Sequence, residues 1–302
     1  MATYNKRRYL KDEILTLEKI DENTYRADSD NLWHPAGARA VYGGQIYGQG
    51  LYAAIKTLNN QALLAHSMHC YFVRAGNPHK PITYHVEHIR DGASFCTRRV
   101  VAEQHGKTIV IMQCSFHKPE VGKLNHQTEM PKVPPPEKVM SIQEIMHNIL
   151  KDNKLPEKKA YYFKERLKAY NDELPLEVKP VDIEKFLKLK KTEPSSQLWI
   201  RAKDNLENAS CNMHNTVVAW LTDWSPLGTA LQPDTDFNVG LWASLDHCVW
   251  FHEPMRADQW MLMQFDSPKA GGGRAITFGK LWSQDGRLVA SMSQEGLLRS
   301  KI

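Results

Sequence analysis

The sequence predicts an α+β protein made of two similar halves, each a curved antiparallel sheet packed against a long central helix. A constant shift of 180 residues pairs two segments without a gap, for example Tyr71 with Phe251 and Gly92 with Gly272. A helical pattern precedes each segment, and glycine-containing turns separate the strand-like runs within it. Because each sheet must bury one face against another element, two copies of one helix-on-sheet unit are the simplest architecture.

The first helix is predicted over residues 43–58. Apolar side chains recur there at helical spacing, namely Tyr47, Leu51, Ala54 and Leu58. Gly48 and Gly50 lie within this pattern and lower its helix propensity. Their presence predicts that another backbone comes close to this helix.

The strands follow the same order in both copies, with a glycine-containing bend and then a tight turn between apolar runs. In the first copy these features are a run at 67–74, a bend at Asp91-Gly92 and a turn at 104–107. In the second copy they are a run at 243–252, a bend at 271–273 and a turn at 284–287. Turns of this X-Gly type close β-hairpins.

The second helix is predicted over residues 212–224, and Asp223 borders its apolar stripe. Pro226 disfavours helix at Ser225, which places Asp223 in or near the last turn. A carboxylate there opposes the helix dipole, and its pKa should therefore rise. Helix C-termini normally favour positive charge, and an exception to this preference beside the core is typical of a functional site.

Between the two copies the composition changes. Prolines interrupt residues 131–136, and a charge-rich stretch with a helix at 161–170 follows. Its charges have mixed sign and its basic residues lack interleaved aromatics, which favours a solvated linker over a nucleic-acid-binding arm. We therefore predict an N-terminal unit over 1–118, a linker over 119–196 and a C-terminal unit over 197–302.

The composition is that of a soluble globular protein, with 42% apolar and 24% charged residues among 302. The net charge of +5 favours a polyanionic ligand that carries a nucleotide but is too small to indicate nucleic-acid binding. No apolar run approaches the roughly 18 residues needed to span a bilayer, and no signal peptide is evident.

Cysteine and histidine spacing gives no sign of a disulfide framework or a metal site. The five cysteines are an odd number without a CxxC pair: Cys70, Cys96, Cys114, Cys211 and Cys248. His66 and His69 lie in a strand-like run with no further ligands beside them, so we interpret them as structural. We predict neither a metal nor a cofactor.

The chain ends in Ser300-Lys301-Ile302, a one-residue variant of the Ser-Lys-Leu peroxisomal address. Ile keeps the size and apolarity of the final Leu. The tripeptide predicts recognition by the peroxisomal import receptor and residence in the peroxisomal matrix.

Four segments carry a resemblance to a known family: Tyr42-Gly43-Gly44-Gln45, 66–74, 244–252 and Ser293-Gln294-Glu295-Gly296. They resemble the type II acyl-CoA thioesterases, most closely the peroxisomal member. The resemblance covers about residues 28–118 and 197–299. It implies a double hotdog fold and hydrolysis of fatty acyl-CoA to free fatty acid and CoA.

The same resemblance implies that Asp223, Ser244 and Gln294 are catalytic, with Thr replacing Ser244 in some members. In the implied mechanism, Asp223 accepts a proton from a water that Ser244 and Gln294 hold. The residue pattern is compatible, because Gln294 lies on an otherwise apolar strand face and a buried amide needs polar partners. The first unit has Gly44-Gln45 at its helix and no evident acid, and it is therefore expected to shape the acyl or CoA site without doing chemistry.

Three alternatives remain open from the sequence. One is a hotdog hydratase or dehydratase acting on enoyl-CoA through Asp246 and His247, and another is a nucleophilic Cys248 beside His247. Adjacent strand residues point to opposite faces, which argues against both. The third is a non-catalytic acyl-CoA-binding protein. Chain-length preference and association into a homo-oligomer are not predicted.

Overall fold

The computed structural model describes residues 8–35, 38–151, 157–168 and 174–301. Within this part of the chain, thirteen antiparallel strands form one continuous sheet. Two long helices lie against it, one from each half of the chain. This confirms the predicted α+β double hotdog.

The sheet is divided between the two halves. The first half consists of β1 (Glu18–Lys19), β2 (Thr24–Ala27), β3 (Leu64–Phe72), β4 (Ile82–Asp91), β5 (Phe95–Gln104) and β6 (Lys107–His117). The second half consists of β7 (Leu176–Pro180), β8 (Ser195–Ala202), β9 (Val239–Ser244), β10 (Asp246–Phe251), β11 (Met261–Gly271), β12 (Arg274–Ser283) and β13 (Leu288–Ser300). The spatial order is β1-β2-β4-β5-β6-β3-β10-β13-β12-β11-β8-β7, and β9 pairs with β13.

The pairing of β3 with β10 joins the two halves. Tyr71 lies opposite Asp246, and Ser67 lies opposite Trp250. These two strands are the corresponding first long strands of the two repeats. The sheet therefore runs without a break through a seam where the repeats meet.

The predicted glycine turns are present. His105 and Gly106 form a two-residue hairpin loop, and both have positive φ, at 50° and 69°. Gly272 and Gly273 form the loop between β11 and β12, which corresponds to the Gly92 bend of the first copy, with φ of 59° and 75°. Positive φ at both central residues is the hairpin geometry that matches strand twist.

Five helices are present in the described part of the chain: α1 (Gly43–Lys56), α2 (Ile142–Leu150), α3 (Glu157–Lys168), α4 (Ile183–Leu187) and α5 (Cys211–Thr222). The predicted apolar face of α1 is buried throughout. The helix α5 is buried on nearly all sides, because it lies between α1 and the sheet. Its stripe pattern therefore understates its burial.

The helices α1 and α5 pack closely, as Gly48 predicts. The prediction is wrong for Gly50, because the space beside it is taken by the Met112 side chain and not by another backbone. A Cβ atom added at Gly48 would lie 3.2 Å from the carbonyl oxygen of Thr216. One added at Gly44 would lie only 2.6 Å from the carbonyl oxygen of Trp220. Glycine at these positions allows the backbones of the two central helices to touch.

The stretch 119–196 contains more regular structure than the predicted linker. The helix expected near 161–170 is present as α3, although residues 169–173 lie outside the described part. The strand β7 was not expected there. It pairs with β8, with Leu176 opposite Ala202 at one end and Pro180 opposite Leu198 at the other. Its Lys and Glu content hides an alternation in which Leu176, Val178 and Pro180 are buried.

The N-terminal segment crosses both central helices. Asp204 accepts the backbone N–H groups of Leu10 and Lys11 at 3.0 and 2.9 Å. The side-chain amides of Gln45 and Gln49 both donate to the carbonyl oxygen of Ile14. These buried bonds fix the segment over the core, and one apolar cluster extends through both halves.

In the described residues, none of the helices has the length and apolarity to cross a membrane.

Candidate active site

Asp223 is the first residue after α5, where the chain turns sharply away from the helix. Ser225 follows with φ of 64°, in the left-handed region, and Pro226 begins a short 3₁₀ helix. As the sequence predicts, Pro226 keeps the residue before it out of the right-handed helical region. The left-handed Ser225 costs about 1 kcal/mol or more, and strain of this kind is often found at functional sites.

Gln294 brings the three candidate residues together. It lies on β13 and points inward, with a relative exposure of 2%. Its Nε2 donates to Asp223 Oδ1 at 2.8 Å and to Ser244 Oγ at 2.5 Å. One amide therefore links the end of α5 with the end of β9.

The Asp223 carboxyl is buried, and burial raises its pKa to about 7. Hydrogen bonds from the Gln294 side chain and the Gly44 backbone oppose this rise. The predicted direction of the shift is confirmed, but desolvation is the main cause. A carboxyl with this pKa can both accept and release a proton near neutral pH.

The N-terminus of α1 lies directly against Asp223. A Cβ atom added at Gly43 would be 2.9 Å from Asp223 Oδ2, so the carboxylate occupies space that a side chain would take. The first N–H groups of a helix have no acceptor within the helix, and the positive end of its dipole favours negative charge. The site thus combines the end of one helix with the beginning of the other.

Gln45 does not lie in the site. Its Oε1 accepts the backbone N–H of Trp33 at 2.6 Å, while its Nε2 donates to the carbonyl oxygens of Ile14 and Asn31. The first unit therefore meets the site at the start of α1 and not through the Gln45 side chain. Gln45 is fully used as a brace for the N-terminal segment.

His247 lies beside Gln294, although the sequence pointed to it only as part of the hydratase and cysteine mechanisms. It is fully buried on β10, and its Nε2 lies 2.9 Å from Thr222 Oγ1. Burial lowers its pKa to about 3, and an interaction with the Gln294 side chain works against this. The signal was available, since residue 247 shares strand parity with the buried Val249 and Phe251.

The neighbours of His247 on β10 point to the opposite face. Asp246 is half-buried and accepts the backbone N–H of Glu295 at 3.0 Å. Cys248 is also half-buried, and burial raises the pKa of its thiol. Neither side chain converges with His247 on one point, which removes the geometric basis of the hydratase and cysteine mechanisms.

An open cavity of about 640 Å³ leads to Asp223. Its lining is mainly apolar and comes from both halves, including Val41, Ile46, Phe72, Leu227, Trp242 and Leu297. The polar lining includes Asp223, Ser244 and Gln294, together with the exposed cation Arg74. An apolar cavity with a few convergent polar groups is the usual form of a small-molecule site.

The equivalent end of α1 has a different composition. Thr57 follows α1 as Asp223 follows α5. The fully buried Arg98 donates to Thr57 Oγ1 at 2.9 Å and also to the Asp91 carboxylate at 2.5 Å. A guanidinium therefore fills this position, and it carries no buried carboxylate.

Comparison with known proteins is consistent along the chain. Residues 30–117 match the family model of the acyl-CoA thioesterase N-terminal domain, and residues 157–298 match that of the C-terminal domain. Acyl-coenzyme A thioesterase 8 of Mus musculus is 44% identical over 289 residues, which are 95% of this chain and 88% of that protein.

Two further proteins extend the comparison. The crystal structure of an acyl-CoA thioesterase II, TesB2, from Mycobacterium marinum is 34% identical with a TM-score of 0.71, covering 95% of this chain and 96% of that one. The peroxisomal acyl-coenzyme A thioester hydrolase 1 of Saccharomyces cerevisiae is 25% identical, over 87% of this chain and 86% of that protein.

Proposed function

Because the chain belongs to the type II acyl-CoA thioesterase family and is an acyl-CoA thioesterase, we propose that it hydrolyses fatty acyl-CoA to free fatty acid and CoA through a water activated by Asp223. The observation that carries this proposal is the hydrogen-bonded group of Asp223, Gln294 and Ser244 at the end of an apolar cavity. A fatty acyl chain suits such a lining.

In the proposed mechanism, a water lies between Asp223 and the thioester carbonyl, held by the Ser244 hydroxyl and the Gln294 amide. Asp223 takes one proton as the water oxygen attacks the carbonyl carbon. The resulting oxyanion is stabilised by the backbone N–H of Gly43 at the start of α1, since the N–H of Gly44 is hydrogen-bonded to Asp223. Collapse of this intermediate breaks the carbon–sulfur bond, and the proton on Asp223 passes to the CoA sulfur.

The cavity also supports an orientation for the substrate. The apolar lining would take the acyl chain, while the guanidinium of Arg74 would attract the CoA phosphates. The small positive net charge of the chain favours the same polyanionic ligand.

The test of the activity is thiol release from acyl-CoA substrates of increasing chain length, followed with a thiol reagent. Mass spectrometry of protein quenched during turnover should show no acyl adduct. Binding of acyl-CoA without thiol release would instead establish the non-catalytic alternative. An acyl adduct on the protein would show that a side chain attacks the thioester before water does.

We expect kcat/KM to rise with pH and to reach half its maximum near pH 7, because the general base must be ionised and the pKa of Asp223 is about 7. The profile should be measured from pH 5.5 to 8.5, with the spontaneous hydrolysis rate subtracted. A flat profile over this range would show that Asp223 keeps an ordinary aspartate pKa of about 4 and is not desolvated in the working enzyme.

We also propose that the second unit begins near Leu176, ahead of the predicted boundary at 197. The strand β7 pairs with β8 of the second half, and the C-terminal domain model matches from residue 157. The first unit would still end at about residue 118, after β6.

We propose that the import receptor recognises the C-terminal tripeptide and that the protein resides in the peroxisomal matrix. The tripeptide sequence and the yeast relative named a peroxisomal hydrolase support this. Ser300 pairs with Val239, and the Lys301 N–H donates to the Asn238 carbonyl oxygen at 2.9 Å. The side chains of Ser300 and Lys301 are exposed, and Ile302 lies outside the described residues.

Deleting Ser300-Lys301-Ile302 is expected to move a tagged protein from peroxisomes to the cytosol while leaving thioesterase activity intact. The deletion removes the pairing of Ser300 with Val239 and the Lys301–Asn238 hydrogen bond, both more than five residues from Gln294 in the sequence. Fluorescence microscopy and an assay of the purified variant measure the two effects. The same tripeptide appended to a cytosolic reporter is the matched control, and a truncated protein that still enters peroxisomes would contradict the proposed address.

A further inference from the structure

We infer that His247 is a positioning residue: together with Thr222, it fixes the Gln294 amide with its NH₂ group towards Asp223 and Ser244. The inference rests on the proposed roles of Asp223 and Gln294. It begins from two buried atoms without a hydrogen-bond partner in the described structure, His247 Nδ1 and Gln294 Oε1.

The hydrogens of Gln294 determine which way its amide points. A primary amide has two N–H donors, and both face acceptors, Asp223 Oδ1 at 2.8 Å and Ser244 Oγ at 2.5 Å. The oxygen Oε1 must then accept from elsewhere. His247 and Gln294 lie on the paired strands β10 and β13, next to the opposed residues Cys248 and Ser293, and Nδ1 is the remaining polar atom of His247.

Thr222 determines the tautomer of His247. Its single hydroxyl proton can go to the carbonyl oxygen of Ala219, at 3.0 Å, or to His247 Nε2, at 2.9 Å. If it goes to Ala219, the histidine proton sits on Nε2, and the bare Nδ1 would face Gln294 Oε1, acceptor against acceptor. If it goes to His247, Nδ1 carries the proton, and the two unpartnered buried atoms become a donor and an acceptor that a rotation of either side chain would join in a hydrogen bond.

The reversed amide is unfavourable when the site is ready to act. It would turn Oε1 towards the ionised Asp223 carboxylate at hydrogen-bond distance, and like partial charges repel. The Nδ1–H donor of His247 opposes this reversal. His247 therefore favours the ionised form of Asp223, which is the form that can accept a proton from water.

An apolar side chain would fill the place of His247 at less cost if packing were its only role. Burying an imidazole with one nitrogen beside Gln294 is favourable only when both nitrogens are satisfied. Its ring also meets the edge of Tyr47, with centroids 4.9 Å apart, which limits rotation of the ring.

The other titratable groups around Asp223 do not obscure a pH measurement. Tyr42, Tyr47 and Cys70 all interact electrostatically with Asp223. Burial raises the pKa of each well above its ordinary value, so all three stay neutral where the enzyme is assayed. The acid limb of the profile then reports Asp223, with His247 neutral throughout.

The test compares His247→Leu with His247→Asn in the full-length enzyme. Leu removes the donor, whereas the amide of Asn can place an N–H close to the position of Nδ1. We expect His247→Leu to lower kcat about tenfold or more with little change in KM, and to move the acid limb of the pH profile up by about one unit, since the Gln294 amide is no longer held in place and its hydrogen bond to the ionised Asp223 is weakened. His247→Asn should restore most of kcat and the wild-type midpoint.

A spectroscopic measurement on the wild-type protein guards against variants that fold poorly. With ¹⁵N-labelled histidine, the signal that disappears in His247→Asn should be that of a neutral ring protonated at Nδ1, unchanged between pH 5.5 and 8. A proton on Nε2 would overturn the inference. So would a His247→Leu enzyme with wild-type kcat and midpoint in a background where Asp223→Asn is inactive, whereas an active Asp223→Asn enzyme would count against the proposed function itself.

Discussion

Replacing Asp223 with Asn is expected to lower kcat at least about 100-fold, because the amide cannot accept a proton from water at neutral pH and general base catalysis contributes factors of this size. The variant should still bind acyl-CoA, since the shape of the side chain is unchanged. Thiol release and direct binding measurements on the same preparation separate the two effects.

The stability of Asp223→Asn distinguishes lost chemistry from lost folding. The folded-state pKa of Asp223 is about 7, above its unfolded value, so the folded protein loses stability as pH rises between those two values. Asn carries no such penalty. At pH 8 the variant should melt at or above the wild-type temperature, and the difference should shrink as the pH falls towards 5.

The matched control is Asp246→Asn. Asp246 is half-buried on the outer face and accepts the Glu295 N–H, a role that the Asn carbonyl oxygen can keep. It should retain near wild-type turnover. Inactive Asp246→Asn with active Asp223→Asn would transfer the role of base from Asp223 to Asp246.

Replacing Gly44 with Ala is expected to cause the largest loss of stability among single substitutions at the site. The new Cβ would lie 2.6 Å from the carbonyl oxygen of Trp220, which cannot move unless α5 moves. Overpacking against a rigid neighbour costs about 3 kcal/mol at the upper end of the usual range. For a chain of this size the melting temperature should fall by roughly 5 °C, and turnover should fall with it because Asp223 follows α5.

The control for Gly44→Ala is Gly122→Ala. A Cβ atom added there meets only the carbonyl oxygen of Leu124, at 3.8 Å. This variant should melt at or slightly above the wild-type temperature, because alanine restricts the unfolded chain. If Gly44→Ala behaved the same way, α1 and α5 would have to lie farther apart than the structure places them.

The fold could be predicted because its signals are local and repeated. Helical spacing in α1 and turn glycines such as Gly106 are signals within short windows of sequence. The 180-residue shift shows that these local signals occur twice in the same order. The strand β7 was missed because its buried Leu176 and Val178 alternate with charged residues inside a charge-rich region. The mixed charge favoured a solvated linker, whereas the charged residues of β7 occupy only the less buried face of a strand whose other face is buried.

The site was less accessible to sequence reasoning. Strand parity correctly predicts that Gln294 points inward, and Pro226 correctly predicts where α5 ends. The contact between Gly43 and Asp223 joins positions 180 residues apart in the chain, and no local pattern encodes it. The role inferred for His247 is equally non-local, because it depends on its bond to Thr222 and on the unpartnered oxygen of Gln294.

The two repeats that meet at the β3–β10 seam belong to one chain and can therefore differ in sequence. In a symmetric dimer of single units, every mutation occurs in both copies, so an acid placed at the end of one central helix would also be buried at the end of the other. Within one chain the two ends mutate independently, and here one holds Asp223 while the other holds Thr57 closed by Arg98. Covalent fusion has thus let the protein keep a single destabilising carboxylate and turn the second helix end into structural support.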